Sequence, residues 1–260
     1  MIDVHCHLAD PKIFSDFSGV ITRSVEKGVS KFIQGGVGPD DWNRQKEIKS
    51  KYPNETFTCF GLHPYWISSH SHGECAEALL DLELILGHTD FMGELGLDFR
   101  EKIVGAKKAQ QILYFEKQLD MAVRFKKIVV FHFVRCHDKS IDILNRIKPP
   151  LGGFVHAFNS DYKVAQKYLD LGLLLSVGGP LLRENNRPLH ETIKKIPLDR
   201  LLLESDSPDQ APPSRGVKLN EPWTVLEVAT KVAELRGITS EEVWDAVKRN
   251  SSQWGHSLNL

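Results

Sequence analysis

Short runs of apolar and β-branched residues alternate with longer amphipathic stretches along the chain. The runs predict strands at 1–5, 31–36, 56–62, 90–97, 127–133, 152–157, 172–178 and 200–205. Several, such as the stretch from Lys127 to Phe133, are apolar at successive positions, as expected of a parallel sheet covered on both faces. Helical periodicity predicts helices at 16–28, 40–51, 74–87, 109–125, 138–147, 161–170, 188–195, 222–236 and 240–249. Within 109–125, Ile112, Phe115, Leu119, Ala122 and Val123 fall on one side, with Lys117, Asp120 and Arg124 among the polar positions. Ser240, followed by Glu241 and Glu242, is the expected N-cap of the last helix. The stretch 210–220, with Pro212, Pro213 and Gly216, is the expected mobile element.

Eight strand–helix units account for the 260 residues as one domain, 1–260, with no linker or low-complexity segment. Such alternation fits either an open doubly wound sheet or an α/β (β/α)₈ TIM barrel. The placement of polar residues favours the barrel. His5, His7, His63, Glu94, His132, His156 and Asp206 all fall at or just past the C-terminal end of an expected strand. Side chains from so many separate strands meet at one point only if the sheet closes on itself.

Composition narrows the picture modestly. Hydrophobic residues make up 41% and charged residues 26%, which suits a soluble domain with a sizeable core. No apolar run approaches the ~20 residues of a membrane span, and Met1-Ile2-Asp3-Val4-His5 does not read as a signal peptide. Cys6, Cys59, Cys75 and Cys136 are scattered without a Cys-x-x-Cys pair, so reduced thiols and a cytoplasmic location are expected. The formal net charge of -1 offers no basic excess for nucleic acid, so any such contact must be local.

The chemistry lies in five segments. In Asp3-x-His5-x-His7 the alternating positions share one strand face, giving two imidazoles at the strand end and an acid able to orient a ring from behind. Glu94 interrupts an otherwise apolar strand, where burying a carboxylate is costly unless a cation or a hydrogen-bond network compensates it; its two oxygens could bridge two metals. Asp98 reads equally as support for that site or as a cap on the next segment. His132 and His156 each follow apolar strand residues; one such histidine is more often a satisfied core residue than a ligand, but the joint pattern points to metal. Arg135 suits either a phosphate or carboxylate, through its planar fork, or an ion pair with a neighbouring acid.

Asp206, at the end of the last strand, is placed to touch a metal and take a proton from water as general base; a turn cap before Pro208 is the plain alternative. Glu204 shares its strand face and can tune or orient a ligand. Nitrogen and carboxylate donors without thiolate suit Zn²⁺, Mn²⁺ or Mg²⁺. Nothing matches a Walker loop, a Gly-x-Ser-x-Gly elbow or a dinucleotide fingerprint, and Gly35-Gly36 and Gly178-Gly179 read as close-packing or phosphate-accommodating strand ends.

The ordered series resembles the TatD-like metal-dependent hydrolases, an amidohydrolase-type barrel family, along nearly the whole chain. It comprises Asp3-x-His5-x-His7-Leu8, Gly61-Leu62-His63-Pro64, Gly93-Glu94-Leu95-Gly96-Leu97-Asp98, and Gln111 with Phe115, Gln118, Leu119 and Ala122. It continues through His132 and Arg135, Gly153-x-x-His156-x-Phe158, Ser176-x-Gly178-Gly179, Leu203-Glu204-Ser205-Asp206-Ser207-Pro208 and Asn220-Glu221-Pro222. The resemblance implies a (β/α)₈ barrel and two divalent ions per chain. One would be held by His5, His7, Glu94 and Asp206; the other by His132 and His156, with Glu94 as bridge. It further implies deoxyribonuclease activity from a 3′ end, with DNA as the partner and His63 and Arg135 at positions that contact substrate phosphate. Two departures stand out: the family's His-Ser-Arg becomes His132-Phe133-Val134-Arg135, and its His-Cys-Phe-Ser-Gly becomes His156-Ala157-Phe158-Asn159-Ser160.

Three classes of function remain open. They are a metal-dependent deoxyribonuclease, a metal-dependent hydrolase of a small amide, lactone or phosphoester, and a non-catalytic metal-binding protein on the same scaffold. No membrane or obligate protein partner is indicated, and a monomer or small homo-oligomer is expected.

Overall fold

A computed structural model describes residues 1–216 and 218–254. Its strands in chain order are β1 (Ile2–Cys6), β2 (Lys31–Gln34), β3 (Thr56–Phe57), β4 (Cys59–Phe60), β5 (Phe91–Asp98), β6 (Val129–Val134), β7 (Gly153–Val155), β8 (Leu174–Val177) and β9 (Leu201–Leu203). Every position of β1, β5, β7, β8 and β9 is buried, the polar Asp3, His5, Glu94, Asp98 and Ser176 included. All pairings are parallel, in the orders β1-β2-β3 and β4-β5-β6-β7-β8-β9.

The two ladders make one eight-stranded (β/α)₈ barrel. β3 and β4 are halves of a single expected strand interrupted at Thr58, whose backbone N–H donates to the Asp90 carboxylate (2.8 Å). At the other seam, Asp206 N–H donates to the His5 carbonyl (3.0 Å) and His7 N–H to the Ser207 carbonyl (2.6 Å). Asp3 reinforces this seam by accepting from the Ser205 amide (2.9 Å) and hydroxyl (2.5 Å). Closure brings the C-terminal end of the last strand against that of the first, where the sequence places its polar residues.

The helices are α1 (Phe17–Glu26), α2 (Pro39–Lys51), α3 (Pro64–Ser69), α4 (His72–Ile85), α5 (Glu101–Val104), α6 (Lys108–Arg124), α7 (His137–Arg146), α8 (Tyr162–Asp170), α9 (Arg187–Lys195), α10 (Val225–Arg236) and α11 (Ser240–Ser252). The short α3 and α5 are too brief for periodicity to reveal. The cap of α11 is Thr239, one residue before the expected Ser240: its hydroxyl accepts from Glu242 N–H (3.2 Å) while the Glu242 carboxylate accepts from Thr239 N–H (2.8 Å), a reciprocal pair Ser240 is too far along to make.

The buried face of α6 is rotated from the expected one. Val123 is exposed and Ile112 half-buried, whereas Gln111 and Gln118 are fully buried. Each glutamine pairs with both backbone groups of one residue past or at a strand end. Gln118 holds Leu62 (2.7 and 3.1 Å), and Gln111 holds Asp98 (2.9 and 3.2 Å). Full pairing removes the cost of burying the amides. It also fixes the segments that carry His63 and Asp98.

The expected mobile stretch 210–220 includes Val217, which lies outside the described residues, as do residues 255–260 of the expected domain. Around it, Asn220 donates to the carbonyls of Ser205 (2.8 Å) and Asp209 (3.0 Å), tying the stretch to the end of β9. The four cysteines are unpaired and buried. Among the described residues no helix is long and apolar enough to cross a membrane.

Candidate metal centre

Glu94 stands at the middle of the barrel mouth, buried, with its two oxygens facing different partners. Oε1 lies 3.5 Å from His5 Nε2 and 3.4 Å from His7 Nε2, and both nitrogens also face Asp206 Oδ1 at 3.7 and 3.4 Å. Oε2 lies 2.7 Å from His156 Nε2, 3.3 Å from His132 Nδ1 and 3.7 Å from His63 Nε2. The six ligands expected from the sequence therefore meet, in two sets that share one carboxylate.

Two of these rings turn their outer nitrogens toward carboxylates. His132 turns Nε2 toward Asp98 Oδ2 (3.4 Å), and His156 turns Nδ1 toward Glu204 Oε1 (3.7 Å). A proton on each outward nitrogen leaves a lone pair on His132 Nδ1 and another on His156 Nε2, only 2.9 Å apart and both facing Glu94. Two lone pairs and a carboxylate oxygen converging in a buried space repel one another unless something positive lies between them. On the other side, His5 Nε2 and Glu94 Oε1 are buried without a hydrogen-bond partner among the described residues. These features fit a divalent cation on each side of Glu94.

Without a cation, protons must supply the positive charge. Burial raises the cost of ionising Glu94, but the nearby His156, His5 and His63 outweigh it and hold the carboxyl well below its usual range. Burial likewise disfavours a charged His156, and the nearby Glu94 and Glu204 charges overcome it, raising the ring well above its usual value. His7 is pushed up to about 9: burial opposes its charge, but the hydrogen bond to Asp206 and the Glu94 charge prevail. Metal binding to imidazole requires these protons to leave.

His63 differs in kind. It lies within reach of Glu94 Oε2 and of His132 Nδ1 (3.2 Å), so its position alone would admit it as a ligand. Yet its Nδ1 accepts the Tyr65 backbone N–H (2.9 Å) at the start of α3, and burial with the neighbouring His132 pushes its pKa down to about 3. The neutral ring then carries its proton on Nε2. It presents a hydrogen-bond donor to the mouth instead of a lone pair.

The supporting residues divide. Glu204 Oε1 lies 3.7 Å from His156 Nδ1 and accepts from the Ala157 amide (2.6 Å). Asp3 does not orient a ring as expected; both its oxygens are taken up by Ser205 and the His5 amide (3.2 Å), so its work is to join β1 to β9. Asp98, open to two readings, faces His132 and accepts from the Arg100 amide (3.0 Å) and guanidinium, whereas the N-cap of α5 is Arg100, without a side-chain cap. Its role was within reach of the sequence, because positions 94, 96 and 98 share one strand face. Arg135 is exposed on the rim and makes no ion pair among the described residues, against that alternative.

Arg135, Ala157 and Asp206 follow strand ends in left-handed conformations, with φ of 55°, 45° and 56°. Non-glycine residues rarely adopt this geometry, and it recurs where a side chain must be aimed. The paired glycines are close-packing positions. A Cβ on Gly35 would come within 2.5 Å of the His7 ring and 2.7 Å of the His5 ring, and one on Gly36 within 2.0 Å of the Gly93 carbonyl.

The chain matches the family model described as TatD related DNase over residues 2–255. It is 29% identical to the uncharacterized metal-dependent hydrolase YjjV of Escherichia coli K12, over 96% of this chain and 95% of that one. Against an uncharacterized metal-dependent hydrolase of Buchnera aphidicola it is 30% identical, over 92% of each. The crystal structure of YjjV, a TatD homolog, superposes with a TM-score of 0.89 at 28% identity, covering 98% of this chain and 97% of that one. A TatD family hydrolase of Entamoeba histolytica shares the fold, with a TM-score of 0.84 at 21% identity and coverage of 99% and 98%.

Proposed function

Given that the chain belongs to the TatD-related DNase family of metal-dependent hydrolases, we propose that it cleaves phosphodiester bonds of DNA at a two-metal centre, working from a 3′ end. The observation that carries this reading is the division of Glu94 between two donor sets: His5 and His7, with Asp206, at Oε1, and His132 and His156 at Oε2. Zn²⁺, Mn²⁺ or Mg²⁺ bound there would lower the pKa of a water and polarise a phosphoryl oxygen.

The protein's own groups do the rest. Asp206 Oδ1, facing the His5 and His7 nitrogens, accepts the proton of the attacking water as general base. Attack forms a new P–O bond and breaks the one to the leaving deoxyribose oxygen, and Asp206 returns the proton to that oxygen. His63 Nε2–H donates to a non-bridging phosphoryl oxygen, drawing charge away from phosphorus. Exposed Arg135, with no acid partner among the described residues, takes a phosphate at the rim through its planar fork.

The test is incubation of the purified chain with 3′-labelled single- and double-stranded DNA, with Mg²⁺, Mn²⁺ or Zn²⁺ and a chelator control. Metal-dependent shortening from the 3′ end, lost in Asp206→Asn, is expected. No cleavage of DNA together with turnover of a lactone, amide or phosphomonoester panel would replace the nuclease reading by the small-molecule one.

A further inference from the structure

Asp206 uses only one oxygen toward the metal centre. Oδ1 faces His5 and His7, while Oδ2 accepts a hydrogen bond from the Gln210 side-chain amide nitrogen. The amide orientation follows from charge: turning it over would set the Gln210 carbonyl oxygen against a carboxylate.

The turn that carries Gln210 is held at several points. Asp206 and Gln210 both lie in the left-handed region, at φ of 56° and 52°. Two such residues four positions apart cost on the order of 1–3 kcal/mol each. The Asn220 amide clamps the Ser205 and Asp209 carbonyls on either side of the turn. The Gln210 backbone carbonyl sits against Gly179, where a Cβ would approach to 2.1 Å. Any side chain at 179 would therefore push the turn, and Gln210 with it, away from Asp206.

We propose that Gln210 is a positioning residue that locks Asp206 onto the first metal position through Oδ1 alone. With Oδ2 tied back, Oδ1 is the oxygen left to face His5, His7 and any ion they would hold. Gln210 touches neither the metal position nor the reacting atoms and acts only through Asp206. This inference rests on the reading of the site as a metal centre.

The experiment compares wild type, Gln210→Met, Asp206→Asn and the double variant, using Mn²⁺ and Co²⁺ alone as probes. Met keeps the length of the side chain and removes the donor. Gln210→Met is expected to change Mn²⁺ affinity at one of two positions by about 10- to 100-fold. It should alter the visible absorption of the Co²⁺-loaded protein and lower kcat with little change in KM. In the Asp206→Asn background the same substitution should change affinity less than about twofold, because its target is gone.

Affinity, Co²⁺ spectrum and kcat unchanged in Gln210→Met would overturn the proposal, as would effects that simply multiply in the double variant. Gln210→Ala, too small to strain the turn, provides the same comparison if Met unfolds the chain. Wild type that binds no divalent ion would instead overturn the metal reading itself, and the two failures are thereby told apart.

Discussion

Asp41 gives the sharpest test of the electrostatics around the centre. It is buried in α2, where its carboxylate accepts from the Val37 amide (3.1 Å) and the Gln45 side chain (2.8 Å). Burial pushes its pKa up to about 6 from an ordinary 3.8, although the charge of His7 and these hydrogen bonds pull the other way. The folded protein therefore holds the Asp41 proton more tightly than the unfolded chain. That preference stabilises the fold fully below pH 3.8 and is lost as the pH rises through about 6. Above pH 7 the ionised group costs roughly 3 kcal/mol, taking 1.36 kcal/mol for each of about two pKa units.

Asp41→Asn mimics the neutral carboxyl and keeps an acceptor for Val37 and Gln45. At pH 8 the metal-free variant should be more stable by about 3 kcal/mol, or on the order of 5–10 °C in Tm. At pH 4 it should match wild type. Thermal melts of both proteins in chelator across that range are the assay. A gain of the same size at both ends of the range, or a loss at pH 8, would refute the reasoning.

Asp98→Asn removes the carboxylate facing His132 Nε2 and should weaken one of two divalent ions by about 10- to 100-fold, measured by competition with a chromophoric chelator. Arg135→Ala should raise KM for DNA and flatten its salt dependence while kcat stays within about twofold, since the guanidinium sits on the rim. Asp3→Ala leaves the buried Ser205 amide and hydroxyl without their acceptor and should destabilise the fold by about 2–4 kcal/mol in denaturant titrations, with no selective loss of one metal.

The barrel and the polar residues gathered at its mouth are legible in the sequence because both derive from simple periodicities. A strand covered on both faces is apolar throughout, so a lone Glu94, His132 or His156 within or just past such a run stands out. What it hid depends on geometry between distant segments. Asp3 looked like a partner for a ring because it lies two residues before His5, yet barrel closure puts Ser205 nearer. The inward turn of Gln111 and Gln118 breaks the apolar stripe of α6, and only the backbone groups of Asp98 and Leu62 explain it. The His63 tautomer depends on a hydrogen bond from Tyr65, and Gln210 reaches Asp206 only through a turn with two left-handed residues; neither leaves a mark in residue type or spacing.

The central claim, that Glu94 joins two divalent positions, is tested most directly by counting metal. Wild type dialysed against Mn²⁺ or Zn²⁺ and freed of unbound ion should hold two ions per chain by elemental analysis, and Glu94→Ala, if folded, at most one. Wild type that saturates below one ion per chain, with Glu94→Ala unchanged from it, would contradict that claim.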